Sequence, residues 1–457
     1  MDITENKQGI KLFIIIALVM LTALAVRISA VTYIYTATAQ DNKSYPRFFV
    51  EQDSSGYFKI ADNLNENGEY NSFSRPPLYP LVISLVGKLT DWDFTNLDRD
   101  LGENDYAREV FKLKSARILI LINHLMGLGK IFLIMLIVWN VCPSRRAVAL
   151  AGILGVLDPF NFYSDNTVLP YCMGQFFTLL AYYFYLTWLK IFKIRWIVSS
   201  GISLCLATLA IPAFMFVWAF IAIHLLFCAK TGFKVRVTAV LIMVVFANLL
   251  PFLWSVRNYN LTGVFVYSSI QLRQFHNPIQ NYVMANKEKI SLTEANRISE
   301  IPVKEMVAKT EIQLGRKLNE LEIFEIDKEL AVKYLIENFS WWVTTHIKGV
   351  LSYFTKWYSI DSAQQRVGSG IFVFYKAGNL FCAFAILIAV TALCISIQSG
   401  NLSPAILLGL PFLFFLNTAS PHNAPRYIGN WLVYAEIIIG VFIGFIITRK
   451  KLLNYIL

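Results

Sequence analysis

Residues 52–80 open with Gln52-Asp53-Ser54-Ser55-Gly56-Tyr57-Phe58-Lys59-Ile60-Ala61-Asp62-Asn63-Leu64, pass through a polar Asn/Glu/Gly run, and close on Arg75-Pro76-Pro77-Leu78-Tyr79-Pro80. The stretch follows the first apolar run of the chain, so it sets a carboxylate and a proline-stiffened segment just outside a bilayer. Asp53 and Tyr57 are four residues apart, and Ala61 and Leu64 continue the same helical face. A helix beginning near Ser54 is expected. Asp53 either caps it or turns its carboxylate back toward the membrane surface, and the residues alone leave both readings open. The prolines fix their own backbone and restrict the residue before them, which holds Arg75 and Tyr79 at the interface. An arginine fork presents several donors in one plane and suits a phosphate. A plain structural turn into the apolar stretch 81–89 is the alternative.

The rest of the chain is mostly membrane. Its 457 residues are 56% hydrophobic and only 16% charged, with 35 phenylalanines, which is too apolar for a soluble protein of this length. Long uncharged runs read as membrane helices. The expected crossings cover 10–37, 116–138, 147–163, 168–189, 196–211, 213–228, 235–255, 371–396, 403–419 and 431–448. Pro212 divides the uncharged block 196–229 into a tight helical pair. The fold class is therefore an all-α polytopic membrane protein with about 10–13 transmembrane helices.

Basic residues fix the orientation. Lys7 and Lys11 precede the first span; Arg145 and Arg146, then Lys190, Lys193 and Arg195, then Lys230, Lys234 and Arg236, and finally Arg449, Lys450 and Lys451 follow later ones. All fall on one side, which predicts cytoplasmic termini. The formal charge of +11 is thus a membrane-face pattern and not a nucleic-acid surface. The first span lacks a small-residue cleavage signature and is read as an anchor. The six cysteines lie in or beside spans without ligand spacing and read as apolar filler.

One domain, 1–457, is expected, with a first non-cytosolic loop at 38–115 and a second at 256–370. In the second, mixed charges over residues 287–333 predict a solvated helical surface. Residues 335–354, rich in Trp, Phe and Tyr with few charges, predict a helix in the headgroup layer. A further short outer segment spans 420–430. No fixed-period repeat and no nucleotide loop of the GxxxxGK type is present, so ATP-driven cytosolic chemistry is unsupported.

One membrane face then collects Asp53, Arg75, Asp165, Arg257, His422 and Arg426. Asp165 lies in the hairpin 158–167, where it either caps the next span or joins the site, and Asp158 before its proline is the weaker candidate. Snorkelling is the plain account of Arg257 or Arg426. Two carboxylates among several cations suit transfer from a phosphate-linked donor. One carboxylate takes the acceptor's proton, and the cations offset charge on the leaving phosphate.

In these elements the chain resembles the membrane-embedded GT-C glycosyltransferases, closest to the group that includes protein mannosyltransferases and aminoarabinose lipid A transferases. The resembling parts are Asp53-Ser54-Ser55-Gly56-Tyr57 with Ala61 and Leu64, Pro76-Pro77-Leu78-Tyr79-Pro80, Pro251 through Arg257-Asn258-Tyr259 to Gly263, and His422 with Arg426-Tyr427, in family order over nearly the whole chain. The resemblance implies a polyprenyl-phosphate-linked sugar as donor substrate and a lipid, glycan or protein acceptor, on the face opposite the cytoplasm of a bacterial inner membrane. It implies Asp53 as the first-loop catalytic or acceptor-orienting acid and Asp165 as the carboxylate of the second outer loop. Arg75, Tyr79, Arg257, Arg426 and Tyr427 are then the donor-binding residues. A divalent metal, as in some relatives, would fall to His422 with Asp53. The chain departs from the family at Val168-Leu169-Pro170-Tyr171, where many relatives carry a Thr-Glu or Ser-Glu pair. It also shows no large soluble C-terminal domain of the oligosaccharyltransferase kind. A lipid-linked glycan ligase or polymerase is the alternative enzyme; a transporter or a non-catalytic assembly subunit is the alternative class.

Overall fold

The computed structural model describes residues 3–40, 52–90, 114–273, 279–355, 360–400, 402–419 and 425–448. The described residues form helices and turns only. In chain order they are α1 (Ile3–Gln40), α2 (Gln52–Glu66), α3 (Leu78–Leu89), α4 (Lys114–Val141), α5 (Arg145–Leu157), α6 (Pro159–Asn166), α7 (Tyr171–Ile191), α8 (Ile194–Ala210), α9 (Val217–Phe227) and α10 (Phe233–Thr262). Between residues 269 and 355 follow α11 (Ser269–Arg273), α12 (Asn281–Glu288), α13 (Leu292–Leu314), α14 (Glu320–Glu337) and α15 (Phe339–Thr355). The chain then returns through α16 (Ile360–Gln398), α17 (Leu410–Ala419) and α18 (Pro425–Thr448).

The all-α polytopic class holds. Among the described residues, five helices are long and apolar enough to cross a membrane, and a sixth exists if α5 and α6, bent by 54° at Asp158-Pro159, make one span. α3, α8, Pro212–Phe227 and Leu402–Asn417 are apolar but shorter. Local breaks shorten them. Ile211 is extended and Pro212–Phe216 is a 3-10 turn, so Pro212 divides the block as its ring requires. The segment before α17 includes a π-helical turn, Ala405–Gly409. α7 is not among the five, since Gln175, Thr178 and four tyrosines dilute its apolar run. It is packed against protein, where such residues find partners.

The core lies where α4, α7, α8, α10 and α18 meet. α1 is lipid-facing over most of its apolar run, whereas 89% of the α18 run is buried. α18 approaches α5 closely because small residues face one another. A Cβ on Gly440 would meet the Ala151 Cβ at 2.7 Å, and one on Gly444 would meet that of Ala147 at 2.6 Å. Close backbone approach of this kind replaces the hydrophobic drive that lipid cannot supply.

α13, α14 and the turn between them carry the mixed charges expected, paired as Arg297–Glu294, Lys304–Glu300, Arg316–Glu322 and Lys317–Glu311. α14 starts on a reciprocal capping box between Asn319 and Glu322. α15 leaves Phe339, Val343, Ile347 and Leu351 exposed along one stripe.

Candidate functional site

α2 forms where residues 52–64 predict a helix, but it begins at Gln52, so Asp53 lies inside the first turn and is not its cap. Ser54, Tyr57, Phe58 and Ala61 make its buried stripe. The Ser54 hydroxyl donates to the Val168 carbonyl at 3.1 Å, and Asn123 of α4 donates to the Thr167 carbonyl at 2.7 Å. The start of α2 is thereby fastened to the turn after Asp165. Tyr79, buried on α3, meets the Tyr57 ring edge-on with centroids 5.5 Å apart.

Arg75 lies over the other side of α2. Its guanidinium carbon is 4.7 Å from the centre of the Tyr57 ring, within cation–π range. Gly56 lies beneath it, where a Cβ would stand 3.6 Å from Nε, an ordinary van der Waals contact. The loop that carries Arg75 is stitched to the end of α10. Arg257 donates to the carbonyls of Tyr70 and Ser72, and its guanidinium stacks over Trp254 at 4.8 Å. Ser268 donates to the Ser74 carbonyl at 2.6 Å, and Asn258 holds the carbonyls of Val266 and Tyr267. Tyr70 donates to the carbonyls of Arg75 and Pro76, and burial raises its phenol well above the ordinary value, so it stays a neutral donor.

Asp165 is fully buried and doubly paired. Arg27 reaches Oδ2 with Nε at 3.1 Å and Nη2 at 2.5 Å; Lys130 Nζ stands 3.2 Å from Oδ1, which also accepts from the Cys172 thiol. Lys130 is itself enclosed and donates to Asn161, Ser164 and Gln175 at 2.8, 3.0 and 2.9 Å. Gln175 continues the chain to Asn430 of α18 at 3.1 Å. A buried charge survives only with such pairing. Gly127 of α4 is required here, since a Cβ would stand 2.1 Å from the Asp165 carboxylate.

The structure thus brings together the start of α2, Arg75, Tyr79 and the 165–168 turn, with Arg257 one layer behind, supporting the Arg75 loop. The backbones of Asp53, Arg426 and Tyr427 fall in α2 and α18, but their side chains, and all of His422, lie outside the described residues. Sequence reasoning passed over Arg27, Lys130, Gln175 and His124, and placed strong charges at span ends. The available signal was a lone cation within an apolar run, which marks a buried partner. His124 is buried beside this cluster, with neither ring nitrogen hydrogen-bonded among the described residues.

No family model matches the sequence, and no curated protein matches it. Solved structures match it in fold. The oligosaccharyltransferase AglB from Archaeoglobus fulgidus, in complex with an inhibitory peptide and a dolichol-phosphate, superposes with a TM-score of 0.53 at 12% identity, over 96% of this chain and 50% of that one. The A. fulgidus oligosaccharyltransferase in complex with Zn and sulfate gives 0.51 at 12% identity, over 95% and 49%. ArnT from Cupriavidus metallidurans, bound to undecaprenyl phosphate, aligns over 92% of this chain and 77% of its own at 15% identity, with a TM-score of 0.37. The chain spans about half the length of the oligosaccharyltransferases it matches.

A metal does not fit Asp165, because internal cations and a thiol occupy both of its oxygens. Among the described residues no group of three or more His, Cys, Asp or Glu side chains is placed to hold one. The expected pairing of His422 with Asp53 lies outside the described residues. The two superpositions show that the chain shares its fold, over nearly its whole length, with about half of the A. fulgidus oligosaccharyltransferase.

Proposed function

We propose that this chain is a membrane glycosyltransferase that moves a sugar from a polyprenyl-phosphate donor to a lipid, glycan or protein acceptor on the membrane face opposite its termini. The setting we favour is a bacterial inner membrane with both termini cytoplasmic, on the basic clusters between spans. The observation that carries the reading is the junction of three parts: the first turn of α2 with Asp53, the Arg75 loop, and the 165–168 turn, tied through Ser54 and Val168. The fold it shares with an oligosaccharyltransferase solved with dolichol-phosphate supports the donor class.

In this reading the acceptor oxygen attacks the anomeric carbon, the bond from that carbon to the phosphate oxygen breaks, and polyprenyl phosphate leaves. Asp53 accepts the proton of the acceptor hydroxyl. Arg75 meets the charge that grows on the departing phosphate, with Tyr79 behind it and Arg426 and Tyr427 at the start of α18 as further donor-side groups. Arg257 serves by holding the Arg75 loop. Asp165 does not supply the acid missing at Val168-Leu169; held by Arg27 and Lys130, it positions the turn that receives α2.

The test is reconstitution with a panel of polyprenyl-phosphate sugars and mass-spectrometric detection of labelled acceptor from the native membrane. Asp53→Asn is expected to lower transfer by at least about 100-fold with melting unchanged, the usual scale for a positioned acid–base group. Wild-type turnover in that variant removes Asp53 from the reaction. Absence of transfer from every donor in the panel removes the proposed donor class.

A further inference from the structure

Two carboxyl groups deep in the membrane domain face each other without a donor between them. Asp158 stands at the bend between α5 and α6; its Oδ1 accepts from the Phe160 amide at 2.8 Å, while Oδ2 has no partner among the described residues. Glu436 lies near the middle of the apolar run Ile428–Ile446 of α18, is fully buried, and neither of its oxygens has a partner there. The two side chains are within hydrogen-bonding reach of each other. Glu436 packs against α5 one turn before Asp158, where a Cβ on Gly155 would come 3.6 Å from Glu436 Oε2, an ordinary contact.

The surrounding charges can be counted. The charge of Lys130 on α4 acts on Asp158, and Asp158 in turn acts on the buried Cys382 thiol of α16. Beyond Lys130 come Asp165 on α6 and Arg27 on α1, with His124 of α4 on their far side. α7 contributes the neutral Gln175, through Lys130, and the Cys172 thiol, which donates to Asp165. This enclosed group holds two cations, Arg27 and Lys130, against three carboxyls, Asp158, Asp165 and Glu436. Full ionisation would leave one uncompensated negative charge and two carboxylates repelling each other away from water, both of which are costly. One proton removes both defects, because it supplies the missing donor and balances the charge.

We propose that Asp158 and Glu436 form a buried proton-binding site, one proton shared between them, that ties the bend of α5–α6 to the last helix. Its ligand is a proton and not a metal ion. Two carboxyl groups offer fewer oxygens than the six to eight that a cation such as calcium takes, and the positive charge of Lys130 already acts on both. The site is separate from the proposed sugar transfer and does not depend on it.

The test is infrared spectroscopy of the full chain in lipid nanodiscs near neutral pH, in water and in heavy water. A carboxylic-acid carbonyl band is expected in the wild type, sensitive to deuteration and lost in both Glu436→Gln and Asp158→Asn. Glu436→Gln is expected to melt near the wild type, because its amide supplies the donor that the proton supplied; Asp158→Asn gives the second reading if one variant does not fold. Melting of the wild type is expected to be the same in sodium, magnesium or choline chloride at equal ionic strength. Absence of the acid band in the wild type, its persistence in both variants, or a melting point that rises with sodium or magnesium overturns the proposal.

Discussion

Asp165→Asn separates a clamp from a catalytic carboxylate. The substitution keeps the shape and removes the charge, leaving Arg27 and Lys130 facing each other without their anion at a fully buried position. Breaking a buried pair by removing one partner costs about 3–5 kcal/mol. Arg27 loses a two-pronged contact, whereas Lys130 keeps Asn161, Ser164 and Gln175, so the lower end applies, about 3 kcal/mol. That equals about 100-fold in the unfolding equilibrium. The assay is the half-life of folded protein in detergent at a fixed elevated temperature, read by size exclusion, because membrane proteins of this size are best compared by rate. A half-life shortened by tens of fold or more is expected. The double variant Asp165→Asn/Lys130→Met should cost less than the sum of the singles by about 0.5–3 kcal/mol, as contacting residues do. If Asp165→Asn keeps the wild-type half-life while transfer falls about 100-fold, Asp165 is a reacting group and the clamp reading is wrong.

Other expectations follow from the same geometry. Gly127→Ala drives a methyl group into the Asp165 carboxylate and should destabilise by about 1–3 kcal/mol, seen as a lower melting point with α4 still formed. Arg257→Gln should loosen the 70–76 loop, detected as faster amide hydrogen exchange there, and raise the donor KM less than Arg75→Gln does; the reverse order would place Arg257 on the donor. Glu322 is held at about 2, below its ordinary 4.5, by hydrogen bonds from Arg316 and the Asn319 amide. Its stabilisation of the start of α14 is therefore present above about 4.5 and lost as pH falls toward 2. Glu322→Gln should lack that acid-side loss of protection in hydrogen exchange.

Much of the helix plan was legible in one sequence because lipid forces backbone polar groups into helices and prolines mark their breaks. The division at Pro212, the charged helices over residues 292–337 and the helix over residues 52–66 all rest on such local rules. Which helices are shielded by protein was not legible, because hydropathy does not report a helix's neighbours. α7 is buried by its neighbours and needs no apolar surface of its own, and α5–α6 bends at Asp158-Pro159. In the site, Asp53, Arg75 and Tyr79 share a short segment whose spacing brings them together. Arg27, Lys130 and Glu436 are single charges in apolar runs, and their partners lie far away in sequence. Hydropathy averages them out, while burial makes them decisive.

The polar chain through the membrane domain also sets an order on assembly. α6 has little of the apolarity that lets a helix enter lipid by itself, and its partners are spread along the whole polypeptide. Arg27 and Asp165 are 138 residues apart, and Gln175 meets Asn430 across 255. At about 5–20 residues per second of synthesis, α7 waits about 13–50 s for α18 to be made. During that interval the half-built bundle exposes an unfinished hydrogen-bonded centre to lipid. Chains cut before α18 should therefore be cleared by membrane proteases, although most of their spans are intact.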